Sequence, residues 1–144
     1  MDDQKAAVPS EFHWVKARLS PEQVGKLLLE GCKVDVEDRN SVSEPGEEFV
    51  FRIRESRSDN FAVIRDWLFA LTLRIFKWSD EGIVVVGLDR AEPSKQTEIL
   101  RATIVPHEDG ECRLIVGNDS LKLWQFRMRA LEDLFWPKNH SIQK

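Results

Sequence analysis

The stretch SDNFAVIRDWLFALTLRIFKW, residues 58–78, decides the fold because it fits two secondary structures that lead to different architectures. A helix would place five apolar residues on one face at three- and four-residue spacing: Ile64, Trp67, Leu68, Leu71 and Ile75. A strand would instead point alternate residues from Trp67 to Ile75 to one side. Periodicity leaves both structures open, and the aromatic and β-branched content of residues 67–78 favours a short helical turn followed by a long strand.

The residues after this stretch favour antiparallel strands. Ser79 to Gly82 form a predicted hairpin loop into Ile83–Val86, a run of β-branched residues typical of a strand. Two further predicted strands, Ile99–Val105 and Cys112–Val116, flank a connection that contains the turn signal Asp109-Gly110. The second half of the chain is therefore expected to form hairpins.

A helix is predicted upstream, with a start signal at Ser20-Pro21-Glu22-Gln23. Ser20 can cap, Pro21 suits the first helical position and Gln23 completes a capping box. One apolar face follows: Val24, Leu27 and Leu28. Gly31 is the predicted stop.

Two strands are predicted between this helix and residue 58. Residues 32–37 alternate between apolar and charged side chains, and in residues 49–54 the apolar Phe49, Phe51 and Ile53 alternate with Val50, Arg52 and Arg54. Placed antiparallel, the strands would set two acidic residues opposite two arginines on the exposed face: Asp35 and Glu37 opposite Arg52 and Arg54. Such pairs are more typical of a solvated face than of an anion site.

The C-terminal segment predicts a long amphipathic helix, capped by Asp119 or Ser120 and stopped by Pro137. Its apolar stripe recurs at helical spacing: Leu121, Trp124, Met128, Leu131 and Phe135. We expect this stripe to face the sheet, with Trp124 buried at its middle. Trp136, next to the stop, is expected to be partly exposed.

Composition and charge limit the class of protein. The chain has 144 residues, a net charge of −4, 42% hydrophobic and 32% charged residues, which indicates one globular domain over 11–137 with tails at 1–10 and 138–144. The acidity argues against a nucleic-acid partner. The N-terminal residues lack the apolar segment of a secretory signal, and no apolar stretch approaches the ~20 residues of a membrane span. Cys32 and Cys112 fit buried, reduced thiols of a cytoplasmic protein.

Signatures of catalysis and cofactor binding are not found in the sequence. The glycines form no phosphate-binding loop, and neither cysteine has a metal-ligand neighbour at short spacing. His13, His107 and His140 are scattered, and His107 with its acidic neighbours is interpreted as a polar hairpin tip. We therefore expect no cofactor and no metal, and these absences favour a non-catalytic protein without deciding against an enzyme.

Tryptophan is the unusual residue, with five copies in a chain that has no tyrosine. Most large aromatic residues fill cores, but they are also favoured in binding surfaces and ligand cavities. Three tryptophans are candidate residues for binding a partner or ligand: Trp78, Trp124 and Trp136.

The predicted class is α+β, with a mostly antiparallel sheet of about five to seven strands packed on a long C-terminal helix. With a first strand over residues 12–19, this order resembles the helix-grip fold of the START/Bet v 1-like superfamily across residues 12–136. That resemblance implies a small apolar ligand between the sheet and the helix face bearing Trp124 and Met128. A helix at 58–78 would instead give an α-β sandwich, similar to small acidic secretion chaperones and immunity proteins.

Two functions follow from these alternatives. The first is a small non-catalytic binding protein that contacts a protein partner or itself, as a chaperone- or immunity-like accessory module. The second is a helix-grip-type carrier or enzyme that binds a small apolar ligand.

Overall fold

A computed structural model describes residues 20–42, 49–56, 59–67, 70–89 and 92–137. Within these ranges a helix precedes seven strands, and a second helix follows them. The elements are α1 (Pro21–Ser41), β1 (Val50–Glu55), β2 (Asn60–Trp67), β3 (Ala70–Ser79), β4 (Gly82–Asp89), β5 (Glu92–Pro106), β6 (Cys112–Val116), β7 (Asp119–Leu121) and α2 (Leu123–Phe135). The predicted tails, residues 1–10 and 138–144, and the strand predicted over 12–19 lie outside this part of the chain.

The seven strands form one antiparallel sheet in which each strand pairs with its neighbours in sequence, in the order β1 to β7. Strand β5 is long enough to serve two partners, because residues 92–102 pair with β4 and residues 103–106 pair with β6. The predicted α+β class with an antiparallel sheet is confirmed. None of the helices in the described ranges is long and apolar enough to cross a lipid bilayer.

Both helices pack on the same face of the sheet. The shared core contains alternate strand residues together with residues of both helices: Phe51, Phe61, Val63, Phe76, Val85 and Leu114 from the strands, Val24 and Leu28 from α1, and Phe126 and Leu134 from α2. Phe61 stacks on Phe76 with ring centroids 4.8 Å apart. On the opposite face, Ala62, Ile64 and Leu73 form a smaller aliphatic cluster. Because side chains alternate along a strand, the two clusters come from alternate positions of the same strands.

Helix α1 begins as predicted but runs ten residues past the predicted stop. Ser20 Oγ accepts a hydrogen bond from the Gln23 backbone N–H at 3.2 Å, with Pro21 in the first turn. The helix continues through Gly31 to Ser41, so the stop at Gly31 and the strand over 32–37 are both wrong. The buried residues of α1 explain the error. Cys32 and Val36 belong to the alternating residues that predicted a strand, but they also continue a four-residue helical spacing: Val24, Leu28, Cys32 and Val36.

The two glycines inside α1 give room to side chains that cross the helix. A Cβ atom at Gly25 would overlap the indole ring of Trp78, and one at Gly31 would overlap the guanidinium group of Arg127. Glycine costs about 1 kcal/mol relative to alanine inside a helix. The close approach of Trp78 and Arg127 explains why glycine is found at both positions despite this cost.

We expect Gly25→Ala to destabilise the protein and Gly31→Ala to leave its stability within about 1 kcal/mol. Both changes gain helix propensity, but at Gly25 the new methyl group meets a ring held in the core, where overpacking costs about 1–3 kcal/mol. At Gly31 it meets the end of a flexible arginine that can swing aside. Chemical denaturation of both variants measures the difference, and equal effects would contradict the packing of Trp78 on α1.

Residues 58–78 form neither of the two predicted arrangements. Strand β2 ends at Trp67 and β3 begins at Ala70, and these two residues pair in an antiparallel hairpin. The central helix of the sandwich alternative and the helical turn before a single strand are therefore both wrong. Strand character was predicted over residues 67–78, and it is confirmed for residues 70–78 in β3; the strands over 83–86, 99–105 and 112–116 are confirmed as well.

The predicted pairing of Asp35 and Glu37 with Arg52 and Arg54 is wrong because residues 35 and 37 belong to α1. Arg52 lies on β1 as predicted, and its Nε is 3.6 Å from Asp66 Oδ2 across the β1–β2 pair. Its side chain is 49% exposed. Arg52 therefore lies on a solvated face of the sheet, with a different acidic partner.

Arg52→Gln is expected to lower the free energy of unfolding by less than about 1 kcal/mol, as is usual for exposed ion pairs. The measurement is urea denaturation, and Asp66→Asn serves as the matched change on the other strand. A loss of several kcal/mol from either change would contradict the exposed position of this pair.

Candidate functional site between the two helices

The two helices lie side by side and run in the same direction. Arg127 Nε on α2 donates to Asp35 Oδ2 on α1 at 2.7 Å. Further along both helices, Arg39 Nε donates to the Phe135 carbonyl at 3.0 Å. Residue numbers increase together from the first contact to the second, so α1 and α2 are parallel.

Helix α2 is rotated relative to the sequence prediction. It starts at Leu123 with Lys122 as the N-cap, and the predicted caps at Asp119 and Ser120 lie in β7. Its end before Pro137 is as predicted. The residues that bury against the sheet and α1 are Phe126, Ala130, Leu131, Leu134 and Phe135.

Trp124 is 50% exposed and Met128 is 53% exposed, which contradicts the prediction that Trp124 occupies the core. The helix-grip resemblance implied that Trp124 and Met128 face a cavity between the sheet and the helix, and they do not. On the sheet side of α2 the ring of Phe126 packs edge-on against Phe76, with centroids 6.3 Å apart. The exposed stripe of α2 therefore faces away from the sheet.

This stripe and the end of α1 enclose a groove with a volume of about 510 Å³, which we call the interhelical groove. Helix α1 contributes Asp35, Asp38 and Arg39, and Val42 follows directly after it; from α2 come Trp124, Arg127, Met128, Leu131, Glu132 and Phe135, followed by Trp136. Val42 and Trp136 are 54% and 49% exposed. The groove thus combines a largely apolar floor with a charged rim.

Arg39 joins the C-terminal ends of the two helices at one end of the groove. The Arg39 side chain is only 3% exposed, and its guanidinium carbon lies 3.9 Å from the centroid of Trp136 and 4.9 Å from that of Phe51. Its Nε also bonds to the Phe135 carbonyl at the end of α2. A cation at a helix C-terminus interacts favourably with the helix dipole. Arg39 therefore packs against the Trp136 ring and stabilises its position at the end of α2.

A second arginine reaches the same helix end from the sheet. Arg65 Nη1 on β2 donates to the Leu134 carbonyl at 2.9 Å, and its Nη2 donates to Thr72 Oγ1 at 3.2 Å. Partial burial lowers the pKa of Arg65 below its usual value. The last carbonyls of α2 thus accept hydrogen bonds from both α1 and the sheet. These bonds hold the C-terminal end of α2, and with it one end of the groove, in place.

The rim of the groove is acidic. Asp35 is paired with Arg127, whose side chain is 18% exposed. Asp38 and Glu132 lie on opposite walls, on α1 and α2, and both are exposed. Three carboxylates therefore line the groove, against the guanidinium groups of Arg127 and the buried Arg39.

The three predicted tryptophans separate into two groups. Trp124 and Trp136 line the interhelical groove. Trp78 lies instead under α1, packed on Gly25 and 6.0 Å from Phe61 between ring centroids, as a partly buried member of the core. The structure brings Trp124 and Trp136 together, and it places Trp78 apart from them, between α1 and the core.

The hairpin tip with His107 has the polar character that the sequence predicted. Asp109 Oδ2 accepts a hydrogen bond from Arg113 at 2.7 Å, and Asp109 Oδ1 lies 3.1 Å from His107 Nδ1. The bond from Arg113 lowers the pKa of Asp109 well below its usual value. His107, Glu108 and Asp109 are all exposed, so this group closes a turn in solvent. His13 and His140 lie outside the described residues.

Both cysteines are free and buried. Burial raises the pKa of the Cys32 thiol far above its usual value, and it also raises that of Cys112. A thiol of raised pKa is a poor nucleophile. Across the described ranges, no three His, Cys, Asp or Glu side chains come together in a group that could hold a metal ion.

Comparisons with models of known protein families, with curated proteins and with solved structures gave no match. The interhelical groove is therefore the feature that bears on function.

Sequence reasoning missed five of the residues that line this groove: Asp38, Arg39, Val42, Arg127 and Glu132. Arg39, Asp38 and Glu132 stand among other charged residues and carry no motif. The apolar stripe on α2 did carry a signal for the groove. The stripe is wider than packing against one neighbouring element requires, so part of it has to face a second surface.

Proposed function

We propose that the protein is a small non-catalytic binding module that holds an apolar segment of a protein partner in the interhelical groove, as an accessory protein of chaperone or immunity type. One observation carries the proposal. Trp124, Met128 and Trp136 each leave about half of their surface open along one continuous groove. Tryptophan and methionine are enriched at protein interfaces, where they fill pockets on the partner.

The spacing of these residues suits an elongated partner segment. Trp124 and Trp136 are twelve positions apart, which corresponds to about 18 Å along a helix. Leu131 and Phe135 form the buried floor between them. Burying apolar surface stabilises a complex by roughly 25 cal/mol per Å² removed from water, offset by the cost of association.

The test uses an 18-residue amphipathic helical peptide with a leucine face and an uncharged Gln/Ser face, titrated into the full chain by calorimetry. Met128→Glu places a charge in the groove and is expected to raise Kd at least about tenfold, the effect of losing a central interface contact. Val34→Glu is the matched control, because Val34 is 57% exposed on α1 outside the groove. Equal effects of the two changes, or no binding to the unmodified protein, would overturn the proposal.

A small apolar ligand is the second candidate function, and the groove volume favours it, since ligand sites commonly measure about 300–1,000 Å³. The resemblance to the helix-grip fold favours this second candidate. The ligand would then lie in the interhelical groove and not between the helix and the sheet. An apolar fluorescent dye, 1-anilinonaphthalene-8-sulfonate, distinguishes the candidates. Saturable dye binding that Met128→Glu abolishes, without any peptide binding, would favour the carrier. A cytoplasmic location, expected from the sequence, is part of the proposal in both cases.

A further inference from the structure

We infer that the segment held in the interhelical groove is a basic amphipathic helix, whose Lys or Arg side chains meet the carboxylates of the rim. This inference rests on the proposed function and adds the charge and conformation of the partner. It follows from the distribution of charge around the apolar floor.

The exposed rim charge is negative on both walls. Asp38 stands on the α1 side and Glu132 on the α2 side, and both are exposed. Arg127 is engaged by Asp35 at 2.7 Å, and Arg39 is turned inward beneath Trp136. A segment lying in the groove therefore passes between two accessible carboxylates, which favours cations flanking its apolar face and disfavours acidic residues there.

The shape of the groove indicates a helix. Its walls are two parallel helices, and its apolar side chains on α2 follow the helix axis from Trp124 through Met128 to Trp136. A partner helix of about twelve residues spans the same ~18 Å and presents anchors every three or four residues. The unbranched Met128 side chain adapts to different anchors.

The charge of the whole protein acts in the same direction. The chain carries a net charge of −4. A basic segment approaching the groove is attracted before contact, and salt screens this attraction beyond about 10 Å at 0.1 M ionic strength. Binding of the inferred partner should therefore weaken as salt is added.

The experiment compares three 18-residue peptides with the same leucine face, whose polar faces are basic (Lys/Arg), neutral (Gln/Ser) or acidic (Glu). Fluorescence anisotropy of labelled peptide gives Kd with the full chain at low and high salt. We expect the basic peptide to bind about tenfold more tightly than the acidic one at low salt, as two rim ion pairs allow. The preference should fall at 1 M NaCl.

The double variant Asp38→Asn/Glu132→Gln should remove most of this preference by weakening the binding of the basic peptide. Glu22→Gln/Glu30→Gln on α1, outside the groove, is the matched control and should keep the preference. Equal affinity for basic and acidic peptides would overturn this inference and leave the proposed function standing. Absence of binding by all three peptides would overturn both. Sedimentation showing a dimer that Met128→Glu dissociates would identify a second copy as the occupant and contradict the basic helix.

Discussion

Phe126→Ala is expected to lower the free energy of unfolding by about 3–5 kcal/mol, the usual range for deleting a buried aromatic ring. Phe126 is completely buried on the sheet side of α2, edge-on to Phe76. Against a total stability of roughly 5–15 kcal/mol, the change would leave a marginal protein. Urea denaturation followed by far-ultraviolet circular dichroism measures it.

Trp124→Ala is the matched control, only two positions away on the same helix. Residues two apart on a helix point about 200° apart, so Trp124 and Phe126 cannot both face the core. Trp124 is 50% exposed, and we expect its replacement to cost about 1 kcal/mol or less. A larger cost at Trp124 than at Phe126 would show that α2 is rotated from the orientation described.

The second large effect is expected at Arg39, where Arg39→Ala should lower the free energy of unfolding by about 3 kcal/mol. The change removes a charge-assisted hydrogen bond to the Phe135 carbonyl, worth about 1.5–3 kcal/mol, and the stacking of the guanidinium group on two aromatic rings. It also leaves a void between Phe51 and Trp136. Urea denaturation gives the stability, and the indole fluorescence of Trp136 should change as well.

Arg39→Lys separates charge from shape. Lysine keeps the positive charge but lacks the flat group that stacks on Trp136, so we expect an intermediate loss. Arg101→Ala is the matched control, because the Arg101 side chain is 58% exposed and pairs with Glu98 on the surface. A cost at Arg39 no larger than at Arg101 would contradict the buried position of Arg39.

The C-terminal helix shows what hydrophobic spacing predicts and what it leaves open. Its existence, its end before Pro137 and the exposure of Trp136 were predictable from the sequence. Its rotation was not, because Trp124 and Met128 continue the same stripe as Leu131 and Phe135 at three- and four-residue spacing. Only the packing of Phe126 against the sheet establishes which part of the stripe is core.

Helix α1 shows that hydrophobic periodicity alone does not always separate a helix from a strand. A strand repeats every two residues, and a helix stripe can repeat every four, so Cys32 and Val36 satisfy both. Val34 was the distinguishing residue, and it is 57% exposed. Gly31 had the appearance of a stop, because the Arg127 side chain that packs against it comes from a part of the chain far away in sequence.

The hairpin within 58–78 was hidden for a different reason. Two-residue hairpins are usually marked by Asn-Gly, Asp-Gly or similar pairs, whereas the residues between β2 and β3 are Leu68 and Phe69. The strands are also apolar on both faces, because Ile64 and Leu73 join the second cluster. A continuous apolar run of this kind does not reveal where the chain reverses.

The five indole N–H signals in a proton–nitrogen NMR spectrum of the full chain test directly whether the interhelical groove is the binding surface. Adding the basic amphipathic peptide is expected to shift the signals of Trp124 and Trp136, which line the groove, and to leave that of Trp78 unchanged beneath α1. A shift of Trp78 without Trp124 and Trp136, or no shift of any indole at saturating peptide, would contradict the account.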